Sequence, residues 1–278
     1  MTYTTIHLHL TPYPSPTSTG AIDYACALAR LFDARLEVSS SHLTVKPPAN
    51  WLAGAMMGRI AQDLETTIAK TTEELESHLQ TEALATAVEA KLTPIAERWP
   101  VGDADCSWRG RVSDVCVLGL PPLGADGRFG IEDWLFGSGR PCLLYPDKSK
   151  QTLPVEHVLV CWDFSKSAAR AVVDALPLLQ NAGRVHIAVF HGEKDLPVID
   201  AGSPLVAFLA AHGVRCEADD IQIGDQTIGG AVLEYAARMD VDLLVMGAFG
   251  HSRMQEFLLG GATREILDRS TIPLLMSH

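Results

Sequence analysis

The stretch that decides the fold is Asp242-Leu243-Leu244-Val245-Met246-Gly247-Ala248-Phe249-Gly250, with Gly260-Gly261-Ala262-Thr263 following after nine intervening residues. The apolar run from Leu243 to Met246 has the length and continuity of a strand buried on both faces, and Gly247 ends it in a tight turn. Glycines at 247 and 250 let main chain come close to a ligand at the carboxyl end of such a strand, where open α/β sheets bind their ligands. Gly260 and Gly261 then stand where a helix begins, so that unpaired amides and the helix dipole face phosphate oxygens. Arg253, inside the loop, has the chemistry to pair with a phosphate. No Gly-Lys-Ser/Thr follows, so this is not a P-loop, and the spacing is not the Gly-x-Gly-x-x-Gly dinucleotide fingerprint. Glycine spacing alone is equally compatible with a structural turn.

The surrounding sequence alternates strands with helices. A strand is expected at 157–162, then a helix from Lys166 with Ser165 as N-cap and Ala168, Val172, Ala175, Leu176 and Leu179 at helical spacing. A strand at 185–190, a helix at 204–212 closed by Gly213, a short strand at 221–223 and a helix marked by Ile228, Val232, Tyr235, Ala236 and Met239 come next. After the strand at 243–246, a helix at 262–268 and a strand at 273–276 complete the pattern. Such alternation implies a mostly parallel sheet covered on both faces.

The first half carries the same signals in the same order. Ile6-His7-Leu8-His9-Leu10 parallels Val158 to Trp162, Ser113 to Gly119 parallels Val241 to Gly247, and Arg140 to Pro146 parallels Thr271 to Met276. Three ordered matches indicate a duplicated domain. The polar stretch 147–154, closed by Pro154, is the expected boundary, giving domains 1–147 and 155–278. The first half has an enlarged middle: Val45 to Asn50 reads as a loop, and Ile60, Leu64, Ile68, Leu75 and Leu79 run through a long charged helix read as scaffold.

Length and composition agree. A chain of 278 residues with 47% hydrophobic residues supports one large or two ordinary domains with a sizeable core. Its 22 Lys and Arg against 34 Asp and Glu leave a net charge of −12, so the average surface repels polyanions and nucleic acid is not an expected partner. No basic start with an apolar stretch opens the chain and no long apolar run follows, from which a cytoplasmic protein without a membrane partner is expected. The six cysteines form no Cys-x-x-Cys pair and no zinc spacing, and read as reduced thiols.

The glycine loop, set between a DLLVMG strand and a helix leading to a Pro-Leu-Leu strand, resembles the ATP-binding motif of the universal stress protein family. Val158 to Ser165 is similar to that family's first strand, with its nucleotide-facing Asp and small hydroxyl residue. The resemblance is strong over about 155–278 and weaker over 4–146, as in tandem members of the family. It implies an α/β fold of two tandem, doubly wound, mostly parallel five-stranded sheets in the order 3-2-1-4-5, with helices on both faces. The two sheets would form an internal pseudo-dimer touching through Cys142 to Tyr145 and Leu274 to Met276. Carried over by residue, Gly247, Gly250, Gly260 and Gly261 would line the triphosphate and ribose, Asp163 would lie beside the nucleoside, and Met246 and Ala262 would follow as backbone neighbours. The implied cofactor is ATP, with AMP or ADP as alternatives and magnesium as its companion ion. Two departures stand out. Gly261 occupies a position where the family often has Ser or Thr, moving the hydroxyl to Thr263, and Phe164 replaces a common Gly.

The first half departs further, since Leu120-Pro121-Pro122 removes amide donors after Gly119 and its first strand ends in Thr11-Pro12 without an Asp. One nucleotide site, in the second half, is therefore expected. Three function classes remain: a nucleotide-dependent stress-response regulator, which leads; a slow ATPase or phosphoryl-transfer protein; and an interaction module that binds no nucleotide. Catalysis is expected to be slow or absent, because Asp163 has no second carboxylate beside it in sequence. Pairing into a homodimer is a further expectation. His7 and His9 share one face of a strand without a third metal ligand, and His251 beside Ser252 makes no catalytic triad.

Overall fold

In the computed structural model, residues 2–45, 51–99, 106–122, 129–192, 202–248 and 261–278 are described. The first half runs β1 (Thr5–Leu10), α1 (Thr19–Phe32), β2 (Arg35–Val45), α2 (Trp51–Thr86), β3 (Ala90–Trp99), a 3-10 helix (Ser107–Val112), β4 (Val115–Leu120), α3 (Phe129–Gly137) and β5 (Cys142–Pro146). The second runs β6 (His157–Cys161), α4 (Lys166–Asn181), β7 (Arg184–His191), α5 (Ser203–Ala211), β8 (Cys216–Gln222), α6 (Ile228–Arg238), β9 (Leu243–Gly247), α7 (Gly261–Arg269) and β10 (Leu274–Ser277). Val45, expected in a loop, is the last residue of β2.

The α/β class holds, and each half has the strand order 3-2-1-4-5. The sheet is larger than the sequence implied. β5 and β10 pair antiparallel, with Leu144, Leu143 and Cys142 opposite Leu274, Leu275 and Met276, so the expected two sheets are joined as one ten-stranded sheet in the order β3-β2-β1-β4-β5-β10-β9-β6-β7-β8. The residues expected to touch do touch, through a continuous ladder of backbone hydrogen bonds. Both strands are buried along their whole length at the edges of their half-sheets, and pairing removes two edges that would otherwise expose unpaired amides.

Alternation along the strands divides the core into two layers. Ile6, Leu8, Leu36, Val117, Leu143, Val158, Val160, Val245 and Leu275 face one side, where they pack with the buried stripes of α1, α2, α4 and α5. Cys116, Leu118, Leu144, Leu159, Leu244 and Leu274 face the other, under α3, α6 and α7. Side chains such as Leu8 and Leu143 are wholly buried, each worth about 1.5–3 kcal/mol of transfer free energy. The first layer also ties the halves together, where the Tyr3 hydroxyl donates to the Asp174 carbonyl at 2.7 Å.

The repeated Asp before the fourth strand of each half has a specific task. Asp114 Oδ2 accepts the amides of Thr4 and Thr5 at 2.7 and 3.0 Å, and Asp242 Oδ2 accepts those of Glu156 and His157 at 2.9 and 2.8 Å. Each carboxylate thus fixes the start of the neighbouring first strand, which sets the register of the pair.

Candidate functional site

In the second half, the strand order reverses between β6 and β9, and the crevice beyond their carboxyl ends is where an open α/β sheet places a ligand. Three of its walls are described. After β6, Asp163 Oδ1 accepts the Ser165 amide at 3.0 Å, and Ser165 caps α4 by accepting the Ala168 amide at 3.0 Å. Ser165 and Ser167 hydroxyls lie 3.1 Å apart at the same helix start. Gly247 ends β9, and α7 begins at Gly261, so two helices direct their amino ends at this crevice. Gly250, Arg253 and Gly260 lie outside the described residues.

The structure gives several of the expected site residues their own roles. A Cβ on Gly247 would sit 2.5 Å from the Ala168 nitrogen and 2.6 Å from Ser167 Oγ, so this glycine admits the amino end of α4 against β9. That packing requirement exists whether or not a ligand is bound. Gly261 faces open space: an added Cβ would meet nothing within 4 Å among the described residues. Met246 is 8% exposed and packs into the layer under α6 and α7. Thr263 is buried and its hydroxyl donates to the Ala248 carbonyl at 3.0 Å, while the Ala248 amide donates to Ser277 at 2.8 Å. The hydroxyl displaced from the position after the third glycine therefore pins α7 to the end of β9. Ala262 stands beside it in the first turn of α7, half-buried.

Phe164 keeps a φ of 60°, a left-handed conformation that suits glycine, although its side chain is large. Its ring lies 5.3 Å from that of Trp162, and the Trp162 indole N–H is buried without a hydrogen-bond partner among the described residues. An orphan donor beside Asp163 is the kind of group that an acceptor on a bound ligand would satisfy. The Trp162 and Phe164 pair gave no signal in the sequence beyond the departure at 164.

The first half closes the corresponding crevice. The Thr17 amide donates to the Thr11 carbonyl at 2.8 Å and the Thr11 amide to Thr17 Oγ1 at 2.9 Å, folding residues 11–17 back on themselves. Thr17 lies against Gly119. His7 and His9 sit on the opposite face of β1. His7 Nε2 and His9 Nδ1 both bond Ser39 Oγ, at 2.9 and 2.8 Å, and each ring lies 5.0 Å from Trp134. Burial pushes both imidazoles down, His7 to about 4 with help from Arg109 and His9 to about 3. No group of three or more metal-ligating side chains occurs among the described residues. All six cysteines are free thiols, and no helix there is long and apolar enough to cross a membrane.

Residues 154–278 match the model of the universal stress protein family. A universal stress protein of Synechocystis sp. is 26% identical over 176 residues, which cover 63% of this chain; the chain spans 58% of that relative's length. Over nearly the whole chain the fold is similar to a universal stress protein structure from Archaeoglobus fulgidus, with a TM-score of 0.67, 18% identity and coverage of 98% and 95% of the two chains. A protein of unknown function from Pseudomonas aeruginosa is also similar, at TM-score 0.56 and 11% identity, covering 99% and 92%. Two-half folds of this length therefore recur among solved structures, and the second half of this chain is a universal stress protein domain.

Proposed function

We propose that this universal stress protein domain binds an adenine nucleotide, ATP first among them, in the crevice between β6 and β9, and that the chain acts in a stress response as a nucleotide-dependent regulator. The observation that carries the reading is the convergence on one switch point of Asp163, Gly247 and the amino ends of α4 and α7, with the sequence between β9 and α7 supplying the glycine motif. Phosphate groups would be held by amides at the start of α7 and in the glycine loop, with magnesium offsetting their charge. Asp163 would orient the nucleoside, and the unpartnered Trp162 N–H supplies a donor nearby. We read the chain as two tandem copies, 1–147 and 155–278, of which only the second is competent, and as a cytoplasmic protein able to pair as a homodimer.

Asp163 Oδ1 is already engaged by the Ser165 amide at the start of α4, so slow or absent hydrolysis accompanies this reading. The test is to denature freshly purified protein and identify the released nucleotide. ATP, ADP or AMP approaching one equivalent per chain supports the proposal. Absence of nucleotide, together with no binding of added ATP, leaves the interaction-module reading, which the close Trp162 and Phe164 rings favour by narrowing the mouth of the site.

A further inference from the structure

The first half differs from the second on the face of the sheet opposite α1 and α2. In the second half, α6 covers β7 and β8: Tyr235 is 4% exposed and its hydroxyl donates to Asp219 Oδ2 at 2.6 Å, while His186 Nε2 bonds the same oxygen at 2.8 Å. Polar groups on that face are thus closed into a small network. In the first half the 3-10 helix at 107–112 stands where α6 would be, and beside it lies a cavity of about 390 Å³ over β1, β2 and β3. Strand register places His7, Glu37 and Lys91 in one row of its floor, with Arg35 one row earlier and Ser39 and Thr93 one row later. Trp108 and Arg109 form the wall.

The charges of this cavity are unusual for the chain. Three cations, Arg35, Lys91 and Arg109, and one anion, Glu37, line it in a protein whose net charge is −12. None of the three cations makes an ion pair among the described residues; Arg109 instead lies 4.8 Å over the Trp108 ring. His7 is 4% exposed and spends Nε2 on Ser39, while the buried Oγ of Ser113, also in the lining, has no hydrogen-bond partner among the described residues. A buried hydroxyl without a partner and three cations outside any ion pair, all around one cavity, form an arrangement that a ligand anion completes. Trp108, 52% exposed, adds an apolar platform at the mouth.

We propose that this cavity is a second ligand site, separate from the crevice of the second half, and that it takes a small organic phosphate whose anionic end meets Arg35, Lys91 and Arg109 while an apolar or ring portion lies on Trp108. The net charge of the lining suits a dianion, and the volume suits a molecule smaller than a nucleoside triphosphate. The site stands at the amino ends of the strands, so its occupant does not compete with the crevice at their carboxyl ends.

Phenyl phosphate, followed by calorimetric titration and by Trp fluorescence, tests the proposal on the full chain. Binding in the millimolar range or tighter is expected, with the double variant Lys91→Ala and Arg109→Ala weakening it at least about tenfold and Glu37→Gln strengthening it. Trp108→Ala should weaken phenyl phosphate more than inorganic phosphate. Circular dichroism confirms that these variants, altered at half-buried or exposed positions, retain the fold. No phenyl phosphate binding by the wild-type protein, or binding unchanged in the double variant, overturns the proposal. So does binding that is lost in Asp163→Ala and kept in the double variant, because the ligand is then in the crevice of the second half. Failure of ATP to bind the second half leaves the expected phenyl phosphate result unchanged.

Discussion

The two halves of this molecule use one strand order and treat its connections in opposite ways. The second half lays a full helix, α6, over the face of β7 and β8 and leaves the crevice beyond β6 and β9 lined by Asp163 and two helix starts. The first half replaces that helix with six residues of 3-10 turn, opening the face, and folds residues 11–17 over the crevice. What repeats is what the buried alternation of the strands demands; what diverges is the set of loops, where the cost of change is low. Function in such a chain follows the connections, and one sheet can carry different surfaces at its two ends.

The comparison can be broken first at its glycines. Gly247 and Gly119 hold the same place in their strands, but the former meets the backbone of α4 at 2.5 Å and the latter meets Thr17 at 3.4 Å. Gly247→Ala should destabilise the fold by about 3 kcal/mol, because backbone atoms must shift, whereas Gly119→Ala should stay within about 1 kcal/mol. Urea unfolding compares them, and equal losses would remove the asymmetry.

Acid is the next probe. His7 and His9 are held neutral in the folded protein, with values of about 4 and about 3, while in the unfolded chain they protonate near 6.5. The unfolded state therefore binds more protons as pH falls below 6.5, and the first half loses about 1 to 2 kcal/mol per histidine between pH 7 and pH 5. Replacing both with Gln should flatten that dependence in urea unfolding followed at the two pH values. An unchanged slope would mean that the rings are open to protons in the folded state.

Asp114→Ala and Asp242→Ala test the equivalence of the halves, since each removes two amide partners at the start of a first strand. Both should cost about 1.5 kcal/mol, and a large difference between them would show that one register is held by other contacts. Burial pushes the Asp114 carboxyl up, yet the amides of Thr4 and Thr5, the Thr4 hydroxyl and Arg140 together hold it below its usual range. Its contribution is present above the ordinary carboxylate pKa, about 4, and fades as pH falls through the lower folded value. Smallest is Thr263→Val, expected to cost about 1 kcal/mol through the lost bond to Ala248, and thermal unfolding measures it.

Much of this was legible in the sequence because buried parallel strands announce themselves. Leu243 to Met246, Val158 to Cys161 and Cys142 to Tyr145 are apolar runs with little else they could be, and Ser165 caps α4 as its position suggested. β8 was mostly invisible: Cys216 to Gln222 contains Glu217, Asp219 and Asp220, an edge strand whose side chains are largely exposed and so lack the apolar pattern; only its end at Ile221 was read. The last strands were expected to touch, but residue type cannot say whether two apolar edges stack or continue a ladder, and here they continue it. At the site, Gly247 was singled out by its place at the end of an apolar run and Asp163 by the family resemblance of its strand. The closeness of Gly247 to Ser167 was not, because it depends on how α4 crosses β9, a tertiary fact with no local signature. His7 and His9 on one face followed from alternation, whereas Ser39 as their shared partner comes from a strand about thirty residues away.

The central claim, that nucleotide binding belongs to the second half alone, is tested most directly by titrating ATP calorimetrically into the wild-type protein, Gly250→Val and Gly119→Ala, with circular dichroism to confirm each fold. Under the proposed function a branched side chain at Gly250 would meet the phosphates, while the crevice beside Gly119 is closed by Thr11 and Thr17. The account predicts wild-type affinity in Gly119→Ala and loss of binding in folded Gly250→Val; binding that survives in Gly250→Val and disappears in Gly119→Ala would contradict it.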